Sequence, residues 1–241
     1  MGCTKVHPRG MHRRELIQAY IDKLGAQTYL EIGVQRAHLF RQIKAPRKIA
    51  VDPNFMLSKT TRVQRLLFER NDTYCEQTSD EFFATKADTL FANQPIDVAF
   101  VDGLHTYEQV VADVSNILRH LAPNGVILLH DCNPVTEASA VYAMSPADAM
   151  ERYPGWASGV WLGDVYKAII EFRATLHDRH VFVFDTDHGV GCIQPGEPQD
   201  VLKVAPQEIA SMTYAQFDAD RDRLINLRPV SYLPQALQLL D

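Results

Sequence analysis

The sequence predicts an α/β protein with a doubly wound, mostly parallel sheet that ends in an antiparallel hairpin. First, short apolar runs at residues 98–101 and 126–129 are bounded by polar residues and glycine, as is typical of strands covered on both faces. Second, an apolar stripe at three- and four-residue steps connects these runs, which together form a βαβ unit. Third, the apolar runs within 180–193 flank turn-forming residues at 186–189, which indicates the closing hairpin.

The predicted elements alternate along the chain and are bounded by residues that end helices. Gly25 ends the first helix, and residues 123–125, Pro-Asn-Gly, separate the central helix from the strand that follows it. Strands are predicted at residues 28–34, 48–51, 72–77, 97–101, 126–129, 180–185 and 190–193. Helices are predicted at residues 11–24, 37–43, 62–69, 80–91, 107–121, 146–152, 164–176 and 207–223.

The domain organisation follows from chain length and from one irregular segment. A chain of 241 residues can bury a full core as one α/β domain. The segment 133–160 lacks strong periodicity, but Trp156 and Trp161 favour an ordered lid-like insertion because disordered segments are poor in aromatic residues. We therefore predict a single domain over residues 1–241, which comprises an N-terminal helix at 1–26, a core at 28–196 that includes the lid, and a helical tail at 197–241.

Composition restricts the class of partner. The formal net charge of -6 argues against nucleic-acid binding, and no apolar run approaches the length that spans a membrane.

The chain begins Met-Gly-Cys, but Val6 departs from the myristoylation pattern and no signal-peptide core follows, so a cytoplasmic location is expected. The four cysteines form no Cys-x-x-Cys pair and are expected to be reduced structural thiols. The oligomeric state stays open, and a homo-oligomer is compatible with the sequence.

Polar residues at the ends of two neighbouring predicted strands point to one candidate site. Asp102 and His105 follow the fourth strand, and His130 and Asp131 follow the fifth. Ligands of open parallel sheets bind outside the carboxyl ends of the strands. His130 is expected to face the opposite side of its strand, in the core or against a helix, rather than to act in catalysis.

The first two strands end in residues that suit a nucleoside. Gly33 allows close approach of the backbone to a ligand, although a purely structural turn explains Glu31-Ile32-Gly33 equally well. Asp52 lies 21 positions after Glu31, where an acidic residue grips the hydroxyl groups of a ribose. The alternative for Asp52 is a solvated carboxylate at the end of a strand.

Five motifs in order, TYLEIGV, KIAVDP, CEQTSDEFF, IDVAFVDGLHTYEQV and GVILLHDCNP, resemble the class I S-adenosylmethionine-dependent methyltransferases. The sequence looks most like their small-molecule O-methyltransferase branch, which includes the macrocin-type sugar O-methyltransferases, and the resemblance covers residues 28–194. It implies a Rossmann-like sheet of seven strands. It also implies a set of cofactor-binding residues: Glu31, Gly33, Asp52, Ser79, Asp80 and Asp102.

The sequence departs from this family in the glycine-rich turn and at the second carboxylate. Ala37 stands where another glycine is common and Leu39 where serine or threonine is frequent, which predicts a slightly displaced turn. Cys132 follows Asp131, where catechol-type relatives have Asp or Asn, and Asn133 is a candidate substitute. No Gly-x-Gly-x-x-Gly run is present, which counts against a nicotinamide cofactor.

The candidate catalytic residues are His105 and Asp102. His105 suits a general base, and the sugar-modifying relatives have a similar Asp-x-x-His; the alternative is a histidine that caps the following helix. Asp102 and Asp131 are also candidate ligands of Mg²⁺, with Asp131 otherwise a structural or substrate-binding carboxylate.

The leading hypothesis is methyl transfer from S-adenosylmethionine to an oxygen of a small-molecule acceptor, such as a sugar or glycan precursor. One alternative is a protein that binds the nucleoside cofactor without catalysis, and another is a nicotinamide-dependent oxidoreductase.

Overall fold

The computed structural model describes residues 11–61, 71–153, 160–198 and 200–240, and its centre is an eight-stranded sheet. The strands are β1 (Thr28–Ile32), β2 (Arg47–Asp52), β3 (Asp72–Glu76), β4 (Ile96–Val101), β5 (Leu121–Leu129), β6 (Arg179–Phe184), β7 (Val190–Pro195) and β8 (Leu227–Arg228). The helices are α1 (Arg13–Leu24), α2 (Ser79–Thr85), α3 (Ala87–Phe91), α4 (Tyr107–Leu118), α5 (Pro146–Arg152), α6 (Tyr166–Thr175), α7 (Pro206–Ala210), α8 (Tyr214–Ala219), α9 (Arg221–Leu224) and α10 (Leu233–Gln238).

The order of the strands confirms the predicted fold class. It is β3-β2-β1-β4-β5-β7-β6-β8, with parallel pairing from β3 through β5 and antiparallel pairing of β7 with both β5 and β6. The chain runs outward from β1 to β3 and then returns to place β4 on the other side of β1. The order of the strands therefore reverses between β1 and β4, where ligands bind in sheets of this kind.

Helices cover both faces of the sheet, as the continuous apolar strands require. On one face, α1, α10 and a 3₁₀ turn (Phe40–Gln42) pack on the strands through Leu16, Ile17 and Phe40. On the other face, the cluster includes Phe82 of α2, Val114 of α4, Ile169 of α6, Ile209 of α7 and Phe217 of α8. Among the described residues, no helix is both long enough and apolar enough to cross a bilayer.

The expected number of strands was wrong by one. β8 contains only two residues and pairs in parallel with β6, beyond the hairpin that was expected to form the edge. A two-residue strand leaves no periodic signal in the sequence. Its position comes from α9, which returns the chain to β6 and places Asn226 where its side chain donates to the Val181 carbonyl.

Several predicted boundaries also differ from the structure. The first strand ends at Ile32 because Gly33 turns the chain with a φ of 84°. The helix expected at 37–43 is only the 3₁₀ turn, since Ala37 has a left-handed backbone. Lys86, with a φ of -128°, divides the helix expected at 80–91 into α2 and α3.

Two further corrections concern the residues around β5 and the tail. The segment 123–125 lies within β5 as an irregularity, because the register with β4 shifts between Ile96 and Val98, so it does not separate helix from strand. The one or two helices expected over 207–223 are three short helices, α7, α8 and α9. The helix predicted at 62–69 and Trp156 lie outside the described residues.

Candidate functional site

A cavity of about 850 Å³ opens at the carboxyl ends of β1, β2 and β4, where the order of the strands reverses. Its wall contains the residues that the sequence predicted for the cofactor and for catalysis: Glu31, Gly33, Asp52, Ser79, Asp80, Asp102 and His105. Asp131 contacts His105 at the end of the neighbouring strand β5. The structure therefore brings all the predicted site residues together.

Gly33 sets the closest approach between β1 and β4. A Cβ atom on this residue would lie 1.9 Å from the backbone oxygen of Asp102, and its φ of 84° disfavours any other residue. Backbone hydrogen bonds from Gly33 N to the Val51 oxygen and from Asp102 N to the Ile32 oxygen hold the three strand ends together. A glycine is thus required here by packing as well as by backbone conformation.

The turn after β1 contains residues with left-handed backbone conformations, although it has no second glycine. Gln35 and Ala37 have φ values of 45° and 58°, and Ala37 is fully buried. The Ala37 N–H donates to the Val34 oxygen, which closes the turn. Alanine therefore occupies a backbone conformation that favours glycine, at a cost of about 1 kcal/mol.

Asp52 holds this turn from the end of β2. Its two carboxylate oxygens accept hydrogen bonds from the backbone N–H groups of Gln35 (2.7 Å) and Asn54 (2.8 Å). A carboxylate has about four lone-pair sites, so two remain for a ligand. Asp52 is therefore neither solvated nor saturated, which suits a group that accepts hydrogen bonds from hydroxyls.

A polar cluster at the start of α2 and along α4 forms another part of the wall. The Gln109 amide lies 3.3 Å from Ser79 Oγ, 3.2 Å from Asp80 Oδ1 and 3.1 Å from Asp113 Oδ1. Burial raises the pKa of Asp113 to about 6, against the lowering effect of hydrogen bonds from Ser79 and Gln109. Sequence reasoning missed Gln109 and Asp113, because both lie within a helix whose apolar stripe was its only clear signal.

Glu31 is a buried carboxyl group in the cavity wall. The Tyr29 hydroxyl donates a 2.6 Å hydrogen bond to its Oε2 atom. Burial raises its pKa to about 8, although that hydrogen bond and the charges of Lys48 and Arg13 lower it. A cationic ligand group placed beside Glu31 would favour the ionised carboxylate.

Two histidines and two aspartates form a closed ring beyond Glu31. His105 lies between the carboxylates, with Nδ1 3.2 Å from Asp131 and Nε2 3.5 Å from Asp102. His130 Nδ1 lies 3.0 Å from Asp131 Oδ1 and 3.3 Å from Asp102 Oδ1. His130 is buried and contacts Arg13 of α1, in line with the expected position against a helix, and it also contacts both carboxylates of the ring.

The proton positions in the ring follow from the contacts of each histidine. His105 Nδ1 also lies 3.3 Å from the Trp161 carbonyl, so two acceptors face this nitrogen and it carries the proton in the neutral form. His105 Nε2 then keeps its lone pair. Burial lowers the pKa of His105, but Asp102 and Asp131 outweigh it and the pKa is raised overall.

The carboxyl group of Asp102 is held ionised by its neighbours. Burial alone would raise its pKa, but the charge of His130 and hydrogen bonds from both histidines lower the pKa well below its usual range. The carboxylates also raise the pKa of His130 against burial. His130 Nε2 also lies 2.9 Å from Arg13 Nη1 and 3.7 Å from Asp187 Oδ1.

Arg13, which the sequence did not indicate, reaches the site from the first residue of α1. Its Nη1 lies 3.0 and 3.1 Å from the two carboxylate oxygens of Asp187, in the turn between β6 and β7. The backbone N–H of Arg13 donates to Asp187 as well, at 3.0 Å, so this carboxylate also caps α1. A single arginine near a predicted helix start gives no signal of this placement.

Trp161 covers His105 from the end of the lid segment. The two rings stack with centroids 5.0 Å apart, and Trp161 Nε1 donates to the Val141 carbonyl at 2.9 Å. Met144 from the same segment also lines the cavity. Residues of the predicted lid therefore form part of the wall, with an indole ring fixed beside the ring of carboxylates and histidines.

Cys132 and Asn133 do not replace the missing third carboxylate ligand. The Cys132 thiol is fully buried and donates to the His130 carbonyl. Asn133 Oδ1 accepts from Arg221 at 2.6 Å, and its amide nitrogen contacts Asp185. The groups that converge among the described residues are instead Asp102, His105 and Asp131, each of which offers a ligand atom within 4.8 Å of the others.

Comparison with known proteins finds one family model that matches part of the chain and solved structures with a similar fold. Residues 30–132 match the family model described as a methyltransferase domain. A candidate O-methyltransferase from Klebsiella pneumoniae is 14% identical over 79% of this chain and 83% of its own, with a TM-score of 0.53. A candidate caffeoyl-CoA O-methyltransferase from Staphylococcus aureus is 14% identical over 78% of this chain and 86% of its own, with a TM-score of 0.54. No curated protein matches the sequence.

The similarities show the fold. It is the Rossmann-like fold of these solved structures, and residues 30–132 match the methyltransferase-domain model. That segment runs from β1 to the residue after Asp131, so it contains most of the cavity wall described above.

Proposed function

We propose that the protein is an S-adenosylmethionine-dependent methyltransferase that methylates an oxygen of a small molecule, such as a sugar or glycan precursor. The observation that supports this most is the cavity at the strand reversal, because its wall combines Glu31 and Asp52 with the pair Asp102 and His105. The methyltransferase-domain match over residues 30–132 supports the same assignment.

The residues present fit this cofactor. Glu31 is a buried acid without a cationic hydrogen-bond partner in the described part of the wall, which suits the ammonium of the methionine part. Asp52 has acceptor sites left for two ribose hydroxyls, and Ser79 and Asp80 would lie beside the adenine. Gly33 lets the backbone approach the ligand without obstruction by a side chain.

When bound, S-adenosylmethionine supplies a methyl group that is activated by its sulfonium. His105 Nε2 would accept the proton of the acceptor hydroxyl as the methyl group passes from the sulfonium sulfur to the acceptor oxygen. Asp102, 3.5 Å from Nε2, stabilises the imidazolium that results. The Asp131 carboxylate and the Trp161 carbonyl keep the other ring nitrogen protonated, so the base is presented in the required tautomer.

A divalent cation such as Mg²⁺ also fits beside this base. Asp102 and Asp131 both contact His105 and His130, and Asp102, His105 and Asp131 each offer a ligand atom within 4.8 Å of the others. Carboxylate oxygens are the ligands that Mg²⁺ prefers, and a cation here would bind the acceptor oxygen and acidify its hydroxyl. We therefore include metal assistance by Asp102 and Asp131 in the proposal.

The function is tested by cofactor binding and by methyl transfer, measured separately. We expect S-adenosylmethionine and S-adenosylhomocysteine to bind in calorimetric titrations, and radiolabelled methyl to be transferred from the former to hydroxyl-bearing acceptors such as nucleotide sugars. Failure of both ligands to bind would contradict the proposal. Binding without transfer to any acceptor would favour a non-catalytic binding protein, and a rise in melting temperature with NAD alone would favour an oxidoreductase.

Metal assistance is tested by chelation. After removal of divalent ions, we expect turnover to fall and to return with Mg²⁺, and we expect Asp131→Asn to weaken the binding of Mn²⁺ in a calorimetric titration. Asp97→Asn is a matched control, since Asp97 binds the backbone of residues 27 and 28 at the other end of the sheet. Activity that survives thorough chelation would remove the metal from the proposal.

A further inference from the structure

Arg13 has donors that no described residue uses. Its Nη1 atom contacts Asp187 and His130, whereas no hydrogen bond from its Nε or Nη2 is found among the described residues. A guanidinium has five N–H donors and no acceptor, so these groups suit an anionic oxygen. Arg13 lines the cavity, and one third of its side chain is exposed there.

Arg13 stands at the same end of the cavity as Glu31. The arginine charge is among those that act on the Glu31 carboxyl, and His130 links Arg13 directly to Asp102. Asp52 and Asp80 lie on other strand and helix ends of the same wall and suit the nucleoside. The end of the cavity that holds Glu31 and Arg13 thus presents one buried acid and one arginine. Their opposite charges match the two charges of a zwitterion.

We propose that Arg13 binds the carboxylate of the methionine part of the cofactor, while Glu31 binds its ammonium; this inference rests on the proposed function. The contact is charge-assisted, and the planar guanidinium can donate two parallel hydrogen bonds to a carboxylate. Asp187 positions Arg13 from the opposite side, and it also caps α1. The first helix is therefore part of the cofactor site.

The test uses three ligands that differ at the amino-acid end. S-adenosylhomocysteine carries both charges, its decarboxylated analogue keeps only the ammonium, and 5′-methylthioadenosine lacks both. Calorimetric titration of the unliganded wild-type protein is expected to give about tenfold to a hundredfold tighter binding of S-adenosylhomocysteine than of the decarboxylated analogue. Arg13→Ala is expected to erase that preference and to leave the affinities for the other two ligands within about threefold.

Three variants separate the direct contact from an effect on the docking of α1. Asp187→Asn weakens the anchor but keeps the guanidinium, so it should retain the preference for the carboxylate. Arg13→Lys keeps the positive charge but has fewer hydrogen-bond donors, so it should retain part of the preference for the carboxylate. Arg14→Ala is the matched control, because Arg14 is exposed and pairs with Glu15.

The outcomes are distinguishable. Equal weakening of all three ligands by Arg13→Ala, or a preference that Arg13→Ala leaves unchanged, would overturn the inference while the proposed function stands. Failure of the wild-type protein to bind S-adenosylhomocysteine would overturn the proposed function and this inference together.

Discussion

Replacing His105 with alanine should lower the rate of methyl transfer by about a hundredfold or more, the usual contribution of a general base. The reason is geometric, since His105 Nε2 keeps its lone pair while Asp131 and the Trp161 carbonyl face Nδ1. Affinity for S-adenosylhomocysteine should change little, because the groups proposed to hold the cofactor lie on or next to β1, β2, α1 and α2 and do not include His105. Steady-state kinetics and calorimetry on the same preparations would measure both effects.

His177→Ala is the matched control for this variant. His177 is exposed in the turn before β6, away from the cavity wall, so its removal should leave the rate unchanged. His105→Ala with wild-type turnover would show that the imidazole only packs against Trp161, with which it stacks. An equal loss of rate and of cofactor affinity would instead indicate a general disturbance of the site.

Replacing Glu31 with glutamine should make the protein more stable at alkaline pH and should also weaken cofactor binding by tenfold or more. In the folded protein, burial raises the pKa of Glu31 from 4.5 to about 8. As the pH rises through this range, the unfolded chain releases the proton before the folded chain does, so the free energy of unfolding falls. The neutral amide of glutamine avoids this loss and keeps the size of the side chain.

The stability difference between Glu31→Gln and wild type should therefore be small at pH 5 and reach a few kcal/mol at pH 8.5. Thermal unfolding at several pH values would measure it, with the exposed Glu197→Gln as the control that should follow the wild type. Parallel curves for wild type and Glu31→Gln would contradict the raised pKa. The expected gain in stability with a loss of binding is typical of charged groups buried for function.

The positions of the strand-end residues could be predicted from the sequence because they depend on short-range signals. Glu31, Asp52 and Asp102 each follow an apolar run, and the parallel sheet brings the ends of such runs together. The sequence also predicted the hairpin of β6 and β7 and the helix α5, both of which the structure contains. These features need no knowledge of how distant segments pack.

The residues that were missed depend on packing between distant elements. Arg13 reaches the site only because α1 lies across the sheet and Asp187 caps its first turn. His130 contacts Asp102 near the end of β5, where Asp131 has a left-handed backbone and the Cys132 and Asn133 N–H groups donate to residues 189 and 188. Neither effect leaves a local pattern in the residues concerned.

The contact between Arg13 and Asp187 joins residues 174 positions apart in the chain. Contacts of such long sequence separation form late, because the entropy of closing the intervening loop must be overcome before they contribute. During synthesis, the segment 30–132, which contains β1 to β5 except for the first two residues of β1, is complete well before the hairpin that carries Asp187 emerges from the ribosome. A nascent chain would thus hold the five parallel strands β1 to β5 while its first helix still lacked its capping carboxylate.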